Sequence, residues 1–354
     1  MCSIGSSTWC RPGAPASEPM TAPMSAPETA PDSKIGVLVM AHGTPPTLGD
    51  LEDFVTELRR GRRAEPELLA ELERRYVAIG GTSPLAERTR WHADALARAL
   101  DARAPERFVV ELGYKFASPR IEESVSVLGT VHGVRRAVGV VLAPHYSAMS
   151  VGDYAKRAAE AGAELDPPVV VSTVHQWHLA PGFVPLLADL VRSTVSGLPE
   201  DARIGATVVF TAHSLPERIV EQGDPYPDQL RESAAAVAAA ADLERFTVAW
   251  QSAGRSSEPW LGPDVLDVIA SLPVTGAKAV IICPVGFVSE HLEVLYDLDV
   301  EAAAAAERAG LVYVRTPTLD GDARLAEVLA GVVIDAADGQ SDAHKDDAES
   351  ARRK

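Results

Sequence analysis

The sequence predicts an α/β fold made of two doubly wound halves, each with a parallel sheet, and a cleft between them. Short continuous apolar runs alternate with stretches of helical period along most of the chain. Continuous rather than alternating apolar strands are typical of parallel sheets covered on both faces. The same rhythm occurs in two successive series, and a chain of 354 residues with 46% hydrophobic residues can bury cores of this size.

The predicted strands are short runs rich in Val, Ile, Leu, Phe and Ala, and each is followed by a break or a polar residue. Runs of four to eight such residues are typical of buried strands. The first series contains 35–41, 108–112, 137–143 and 169–173, and the second contains 206–210, 247–251, 279–283 and 312–315.

The predicted helices show apolar residues at spacings of three and four between charged or alanine-rich positions. This period matches one face of an α-helix. They cover 51–60, 67–76, 84–100, 119–131, 151–163, 183–195, 228–241, 263–271, 290–309 and 323–335.

Domain boundaries follow from composition and from the two series. Residues 1–33 are rich in Pro, Ala, Ser and Thr without periodicity, so a disordered tail is expected there. The halves are predicted at 34–173 and 174–336, with the chemistry of metal ions assigned to the second. Residues 337–354 are polar and charged, and a second disordered tail is expected.

Composition excludes several classes of protein. A formal net charge of −17 disfavours nucleic acid as a partner, because phosphate binding needs a basic surface. Three cysteines give no disulfide framework, and Cys283 lies in an apolar run. No stretch is long and apolar enough to span a membrane, and no secretory leader is evident, so a cytoplasmic location is expected. The GxGxxG fingerprint is missing after the first strand, which argues against a dinucleotide enzyme.

Three carboxylates in the second half fall at i, i+4 and i+8, and we call Glu293, Asp297 and Glu301 the acidic ladder. At about 100° per residue they share one face of an α-helix. Like charges at this spacing repel, so the pattern indicates either a solvated face or a face neutralised by a cation. His213 follows the apolar run 206–210 and is itself followed by a proline at position 216. This places an imidazole at the carboxyl end of a strand, where open α/β sheets bind their ligands, although a structural histidine is the alternative.

Around these residues the chain resembles the ferrochelatase family. Residues 211–216 (TAHSLP) and 286–297 (GFVSEHLEVLYD) are similar to its two signature segments. Six more segments agree in order over roughly residues 35–335, and the pattern is most similar to the coproporphyrin-using ferrochelatases of Gram-positive bacteria. These segments are 39–45, 59–62, 75–85, 142–147, 223–230 and 250–263. The resemblance implies two Rossmann-like, chelatase-like halves.

The resemblance also implies roles for individual residues. His213 and Glu293 are expected to be catalytic and to contact the metal, which suits Fe²⁺ because imidazole ligates it and a carboxylate adds charge neutralisation. Which of the two is mainly the base stays open. Asp297 and Glu301 are expected to form an outer site, with Mg²⁺ as a candidate occupant. The porphyrin is expected to contact Arg59, Arg75, Tyr76, Ser83, Tyr154 and Lys115.

One position departs from the pattern of the Gram-positive relatives. They have Tyr where this chain has His42, and that Tyr is associated with iron on the opposite face of the macrocycle from the catalytic His. Imidazole also ligates iron, so His42 is expected as an axial ligand of product iron. A [2Fe–2S] cluster, present in some relatives, needs four cysteines and is not expected in a chain with three.

The resemblance therefore predicts an enzyme of haem biosynthesis that inserts Fe²⁺ into coproporphyrin III to give coprohaem. No resident cofactor is expected, since iron is a substrate. Insertion into protoporphyrin IX is the first alternative. A chelatase that loads cobalt or nickel and a non-catalytic porphyrin or haem carrier are further alternatives. A monomer is expected, with transient contacts to enzymes of the porphyrin and haem pathway.

Overall fold

Two parallel four-stranded sheets form the framework of the protein. The computed structural model describes the backbone of residues 34–352 and the side chains of residues 34–339, so the tail predicted at 1–33 lies outside the described residues. The first sheet has the order β2-β1-β3-β4 and the second the order β6-β5-β7-β8. The strands are β1 Ile35–Ala41, β2 Phe108–Tyr114, β3 Arg136–Val141, β4 Val170–Val174, β5 Ala206–His213, β6 Phe246–Gln251, β7 Ala279–Cys283 and β8 Val312–Arg315.

Both sheets have the same internal topology, which confirms the predicted repetition of architecture. In each, the first strand lies between the second and the third, so the strand order reverses beside β1 and beside β5. The strands match the apolar runs because those runs are buried on both faces; all seven residues of β1 and all five of β7 are buried. The carboxyl ends of β1 and β3, and those of β5 and β7, therefore flank the two switch points where such sheets bind ligands.

Helices connect the strands and cover the sheets. They are α1 Leu51–Leu58, α2 Pro66–Ala78, α3 Leu85–Arg103, α4 Ile121–Thr130, α5 Val151–Ala163, α6 Phe183–Ser196, α7 Glu200–Ile204, α8 Arg218–Glu221, α9 Tyr226–Ala240, α10 Val265–Ser271, α11 Ala303–Arg308 and α12 Ala323–Arg352. Short 3₁₀ turns lie at Leu48–Asp50 and Leu272–Thr275. Within the described residues, no helix has both the length and the apolar character needed to cross a bilayer.

The largest hydrophobic cluster is shared by both sheets. It joins Val37 of β1 and Val208 of β5 to Leu325 and Leu329 of α12. The helix α12 belongs to the end of the chain, yet it packs against α3, β3 and β4 of the first half. A smaller separate cluster lies beneath α1 and α2, around Val55 and Tyr76. The described residues, 34–352, belong to one compact unit.

Two predicted helices differ in the structure. The helix predicted at 290–309 is a π-helix over Glu293–Ala302, continued by α11. Its i→i+5 bonding is seen where the Ala303 N–H donates to the carbonyl of Leu298, and the apolar period alone does not separate π from α geometry. The helix predicted at 323–335 continues as α12 to Arg352, and so runs through most of the segment predicted as a tail, 337–354, whose side chains beyond 339 lie outside the described residues.

Candidate active site

A pocket of about 440 Å³ opens at the carboxyl ends of the strands of both sheets. His42 directly follows β1 and His213 ends β5, and both side chains line this pocket together with Glu293. The volume lies in the range of roughly 300–1,000 Å³ that is typical of small-molecule sites. The two switch points of the fold therefore face one shared cavity.

Glu293 reaches His213 because of a close approach between the 284–292 loop and β5. The Gly286 N–H donates to the carbonyl of Thr211, and a Cβ added at Gly286 would lie 2.5 Å from the Cβ of Ala212. Only glycine permits this packing. The loop then leads into the π-helix, whose first residue is Glu293, and its Oε1 lies 3.4 Å from His213 Nε2.

His213 and Glu293 form an ion pair inside the pocket. The His213 Nδ1–H donates to the carbonyl of Ser214, which directs Nε2 toward Glu293. Burial alone would lower the pKa of His213, but the Glu293 carboxylate outweighs it and raises that pKa. Burial alone would raise the pKa of Glu293, and the facing imidazole instead lowers it. At neutral pH the pair is therefore an imidazolium and a carboxylate, with 35% and 38% of their side-chain surfaces exposed.

His291 precedes the π-helix and closes its first turn. Its Nδ1 accepts hydrogen bonds from the backbone N–H groups of Glu293, at 3.1 Å, and Val294, at 3.4 Å. A ring whose Nδ1 is an acceptor carries its proton on Nε2 when neutral. Burial lowers the pKa of His291 to about 4, so the ring stays neutral and its Nε2–H is available as a donor.

His42 lies within an aromatic group at the other sheet. Its ring centroid is 4.9 Å from that of Phe116 and 6.1 Å from that of Phe54. The Nδ1–H donates to the carbonyl of Gly43 at 3.1 Å, which leaves the Nε2 lone pair free. The His42 side chain is exposed and lines the pocket, and partial desolvation by the surrounding pocket residues lowers its pKa. A neutral imidazole with a free Nε2 is the form that can ligate a metal.

Four of the six residues predicted to contact porphyrin line the pocket. These are Tyr76, Ser83, Lys115 and Tyr154. Among the described pocket-lining residues, Lys115 is the only Lys or Arg. Its Nζ lies 2.5 Å from Asp153 Oδ2 and 5.1 Å from the ring centroid of Tyr154. The ammonium group is thus held at the wall by an ion pair and a cation–π contact.

Arg59 and Arg75, the other two, are not among the pocket-lining residues. The Nε of Arg59 is buried and has no hydrogen-bond partner. Arg75 instead lies against the acidic ladder. Its Nη1 is 3.2 Å from Asp297 Oδ1, and its Nη2 is 3.0 Å from Glu71 and 3.8 Å from Glu301. One guanidinium therefore lies between Asp297 and Glu301, the two outer members of the ladder.

Asp297 is the most enclosed member of the acidic ladder, with 6% of its surface exposed. Its Oδ2 accepts from the Ser252 hydroxyl. Burial, and secondarily the charge of Glu293, raises the pKa of Asp297 to about 7 despite the opposing contributions of Ser252 and Arg75. No cluster of three or more His, Cys, Asp or Glu side chains in the described part of the chain is arranged to hold a metal ion.

Comparison with known proteins identifies the family of the chain. The ferrochelatase family model matches residues 34–337, which spans both sheets and every pocket residue. The chain belongs to the ferrochelatase family. A coproporphyrin III ferrochelatase of Bacillus subtilis (strain 168) is 43% identical over 303 residues, covering 85% of this chain and 97% of that one. A coproporphyrin III ferrochelatase of Listeria innocua is 41% identical over 305 residues, covering 86% and 98%.

The fold of this ferrochelatase is also found in a solved structure of another chelatase. SirB from Bacillus subtilis with Fe³⁺ matches with a TM-score of 0.50 and 14% identity, covering 84% of this chain and 93% of that one. At this identity the likeness shows the shared fold alone. The predicted α/β architecture with two chelatase-like halves is thereby confirmed.

Sequence reasoning missed several residues of the ferrochelatase site. Tyr226, at the start of α9, lines the pocket and donates from its hydroxyl to the carbonyl of His213 at 3.0 Å. Thr44 accepts from or donates to the hydroxyl of Tyr76 at 3.3 Å. Both lie in segments that carry the family resemblance, so a closer reading of 39–45 and 223–230 could have found them. Cys283, in β7, is the one cysteine within the described residues, and it is buried.

Proposed function

We propose that this ferrochelatase inserts Fe²⁺ into coproporphyrin III to form coprohaem. The observation that carries the proposal is the His213–Glu293 pair, which faces a pocket of about 440 Å³ at the switch points of both sheets. The names of the curated relatives, which are more than 40% identical over most of the chain, support coproporphyrin as the substrate.

Metal insertion replaces two pyrrole N–H protons with one Fe²⁺, so two protons must leave the macrocycle. His213 Nε2 and Glu293 Oε1 face one another and can each accept one proton or contact the metal. The resting imidazolium must first lose its proton, because a protonated ring has no lone pair. His291 presents an N–H beside the pair and cannot ligate through the same nitrogen.

The porphyrin is proposed to lie between the two sheets with its propionates at polar positions of the pocket wall. Lys115 offers a charge-assisted donor, and Ser83, Tyr76 and Tyr154 offer hydroxyl groups. Arg59 is proposed to reach an outward-facing propionate, because its Nε is unpartnered and it follows Leu58, which lines the pocket. Four propionates make coproporphyrin the more demanding ligand for such donors.

Iron is proposed to arrive along the acidic ladder and to be held in the product by His42. Carboxylate oxygens bind hydrated divalent cations loosely, so Fe²⁺ held by the ladder can still transfer to the pyrrole nitrogens. Mg²⁺ can occupy the same outer site. His42 offers its free Nε2 as an axial ligand of product iron. The enzyme is proposed to act as a cytoplasmic monomer without a resident cofactor or an iron–sulfur cluster, in transient contact with neighbouring pathway enzymes.

The test is anaerobic incubation of the purified chain with Fe²⁺ and either coproporphyrin III or protoporphyrin IX, followed by absorption spectroscopy. We expect loss of the free-base bands with coproporphyrin III and a lower kcat/KM with protoporphyrin IX. Turnover of protoporphyrin IX alone would assign the alternative substrate. Porphyrin binding without insertion of iron into either macrocycle would indicate a carrier and would overturn the proposal.

A further inference from the structure

Gln251, the last residue of β6, is hydrogen-bonded to the backbone of Ser214, next to His213, and to the backbone of Glu293. Gln251 lies opposite His213 in the register of β5 and β6, and its carbonyl accepts from the Ser214 N–H at 2.7 Å. Its side-chain Nε2 donates to the carbonyl of Glu293 at 3.1 Å. One residue thus joins the strand that carries the imidazole to the helix that carries the carboxylate.

The hydrogen bonds of Gln251 are not those of a residue that serves stability alone. The residue is 1% exposed, and its Oε1 is buried without a hydrogen-bond partner. An unpartnered buried carbonyl is destabilising, and an apolar side chain of the same length would avoid that cost. What the amide provides in return is its single donated hydrogen bond to Glu293.

The next residue fixes the second turn of the same helix. Ser252 adopts a left-handed backbone conformation, with φ of 59°, which is uncommon for a residue other than glycine. Its hydroxyl donates to Asp297 Oδ2, one turn after Glu293. The end of β6 therefore holds the π-helix at two successive turns, and strained backbone of this kind is found where a site determines the geometry.

We propose that Gln251 is a positioning residue that sets the separation between His213 Nε2 and Glu293 Oε1. The Gln251 amide occupies the carbonyl of Glu293 and anchors the first turn of the π-helix to the end of β6. Without this anchor the start of the π-helix keeps its bonds to His291 and Ser252 but loses its tie to the end of β6, so the carboxylate shifts relative to the imidazole while the porphyrin pocket keeps its walls. The inference deepens the proposed function and rests on it.

The test compares Gln251→Met with Gln229→Met. Methionine has a similar length and no donor, and it also removes the unpartnered oxygen. Gln229 is likewise buried; its Oε1 accepts from the Tyr146 N–H at 2.7 Å and its Nε2 donates to Gln176, so neither bond involves His213 or Glu293. For Gln251→Met we expect kcat of iron insertion to fall at least about tenfold, with KM for coproporphyrin III and the melting temperature nearly unchanged. Gln229→Met should keep the wild-type kcat.

A second variant and a spectroscopic readout keep the test decisive. Gln251→Asn keeps an amide but is one methylene too short to reach, so it should lose the same kcat if Gln251→Met fails to fold. The ¹⁵N shift of His213 Nε2, measured without iron, should change in the Gln251 variants and not in Gln229→Met. An unchanged kcat and shift in folded Gln251 variants would overturn the inference. A wild type that inserts no iron while the shift still responds would overturn only the proposed function.

Discussion

Arg75 Nη1 lies 3.2 Å from Asp297 Oδ1, so two residues separated by 222 positions in the chain are joined at the acidic ladder. The guanidinium also lies 4.8 Å from the ring centroid of Tyr296. Asp297 and Glu301 of the ladder thus share one guanidinium from α2, whereas Glu293 is paired with His213, so each of the three carboxylates has a cationic or ionisable partner. Any divalent cation that binds the ladder must compete with Arg75.

Replacing Arg75 by methionine should therefore raise the affinity of the acidic ladder for Mg²⁺. The KM for coproporphyrin III should stay the same, because Arg75 does not line the pocket. Calorimetric titration with Mg²⁺ and steady-state kinetics would measure the two quantities. Arg324→Met, which removes a surface ion pair with Asp322, is the matched control. A large rise in the KM for porphyrin with unchanged Mg²⁺ affinity would instead indicate that Arg75 contacts the porphyrin.

His213→Ala and Glu293→Gln should each slow iron insertion by at least about 10²-fold, the lower end for losing one acid–base group. Porphyrin affinity, measured by fluorescence quenching, should remain because the other pocket walls are intact. The chain offers a matched control in His132 and Glu111, a second His–carboxylate pair at 2.9 Å that lies outside the pocket. Wild-type turnover in either site variant would refute the assignment.

Asp297→Asn should change how stability depends on pH. The pKa of Asp297 is raised to about 7, so the folded state binds an extra proton between the usual value near 3.8 and about 7. Stability from this group is present at low pH and is lost as pH rises through that window. The variant should therefore gain stability relative to wild type between pH 4 and pH 8, measured by urea unfolding. Asp53→Asn, on the exposed side of α1, is the matched control.

His42→Ala should alter the absorption and resonance Raman spectra of the ferric product complex, because the free Nε2 is expected to ligate the iron. His42→Tyr, which replaces the imidazole with a phenol, should give a third spectrum typical of an oxygen ligand. Three identical spectra would reduce His42 to a turn residue packed against Phe54 and Phe116.

Lys115→Met should weaken the preference for coproporphyrin III over protoporphyrin IX. A charge-assisted hydrogen bond contributes about 1.5–3 kcal/mol, and the existing pair with Asp153 reduces the net gain. We expect a rise of about tenfold in KM for coproporphyrin III and little change for protoporphyrin IX. Lys156→Met, on the exposed face of α5, removes a comparable charge and should leave both values alone. Equal effects on the two substrates would contradict the role of Lys115.

Much of the framework was predictable because it depends on local patterns. The apolar runs at 35–41 and 279–283 form β1 and β7 with the predicted bounds. Runs this short and this continuously apolar are typical of strands buried on both faces of a sheet. The carboxyl-end position of His213 followed from its strand in the same way. These features need no knowledge of distant contacts.

The rest depended on contacts between distant segments. The spacing of the ladder predicted a shared face but not its partner Arg75, and apolar period could not distinguish a π-helix from an α-helix. The bond from Gln251 to Glu293 is likewise invisible in either segment alone. Arg75 and Gln251 act through residues 222 and 42 positions away in the chain.

The return of α12 to the first sheet makes the two halves interleaved. Leu96 and Leu100 of α3 share one cluster with Leu329 and Val333 of α12. A fragment ending at residue 173 would expose that apolar face to water, although it contains a whole sheet. The two architectural repeats that line the pocket thus share one core, and a fragment limited to the first repeat lacks the helix that covers one face of its own sheet.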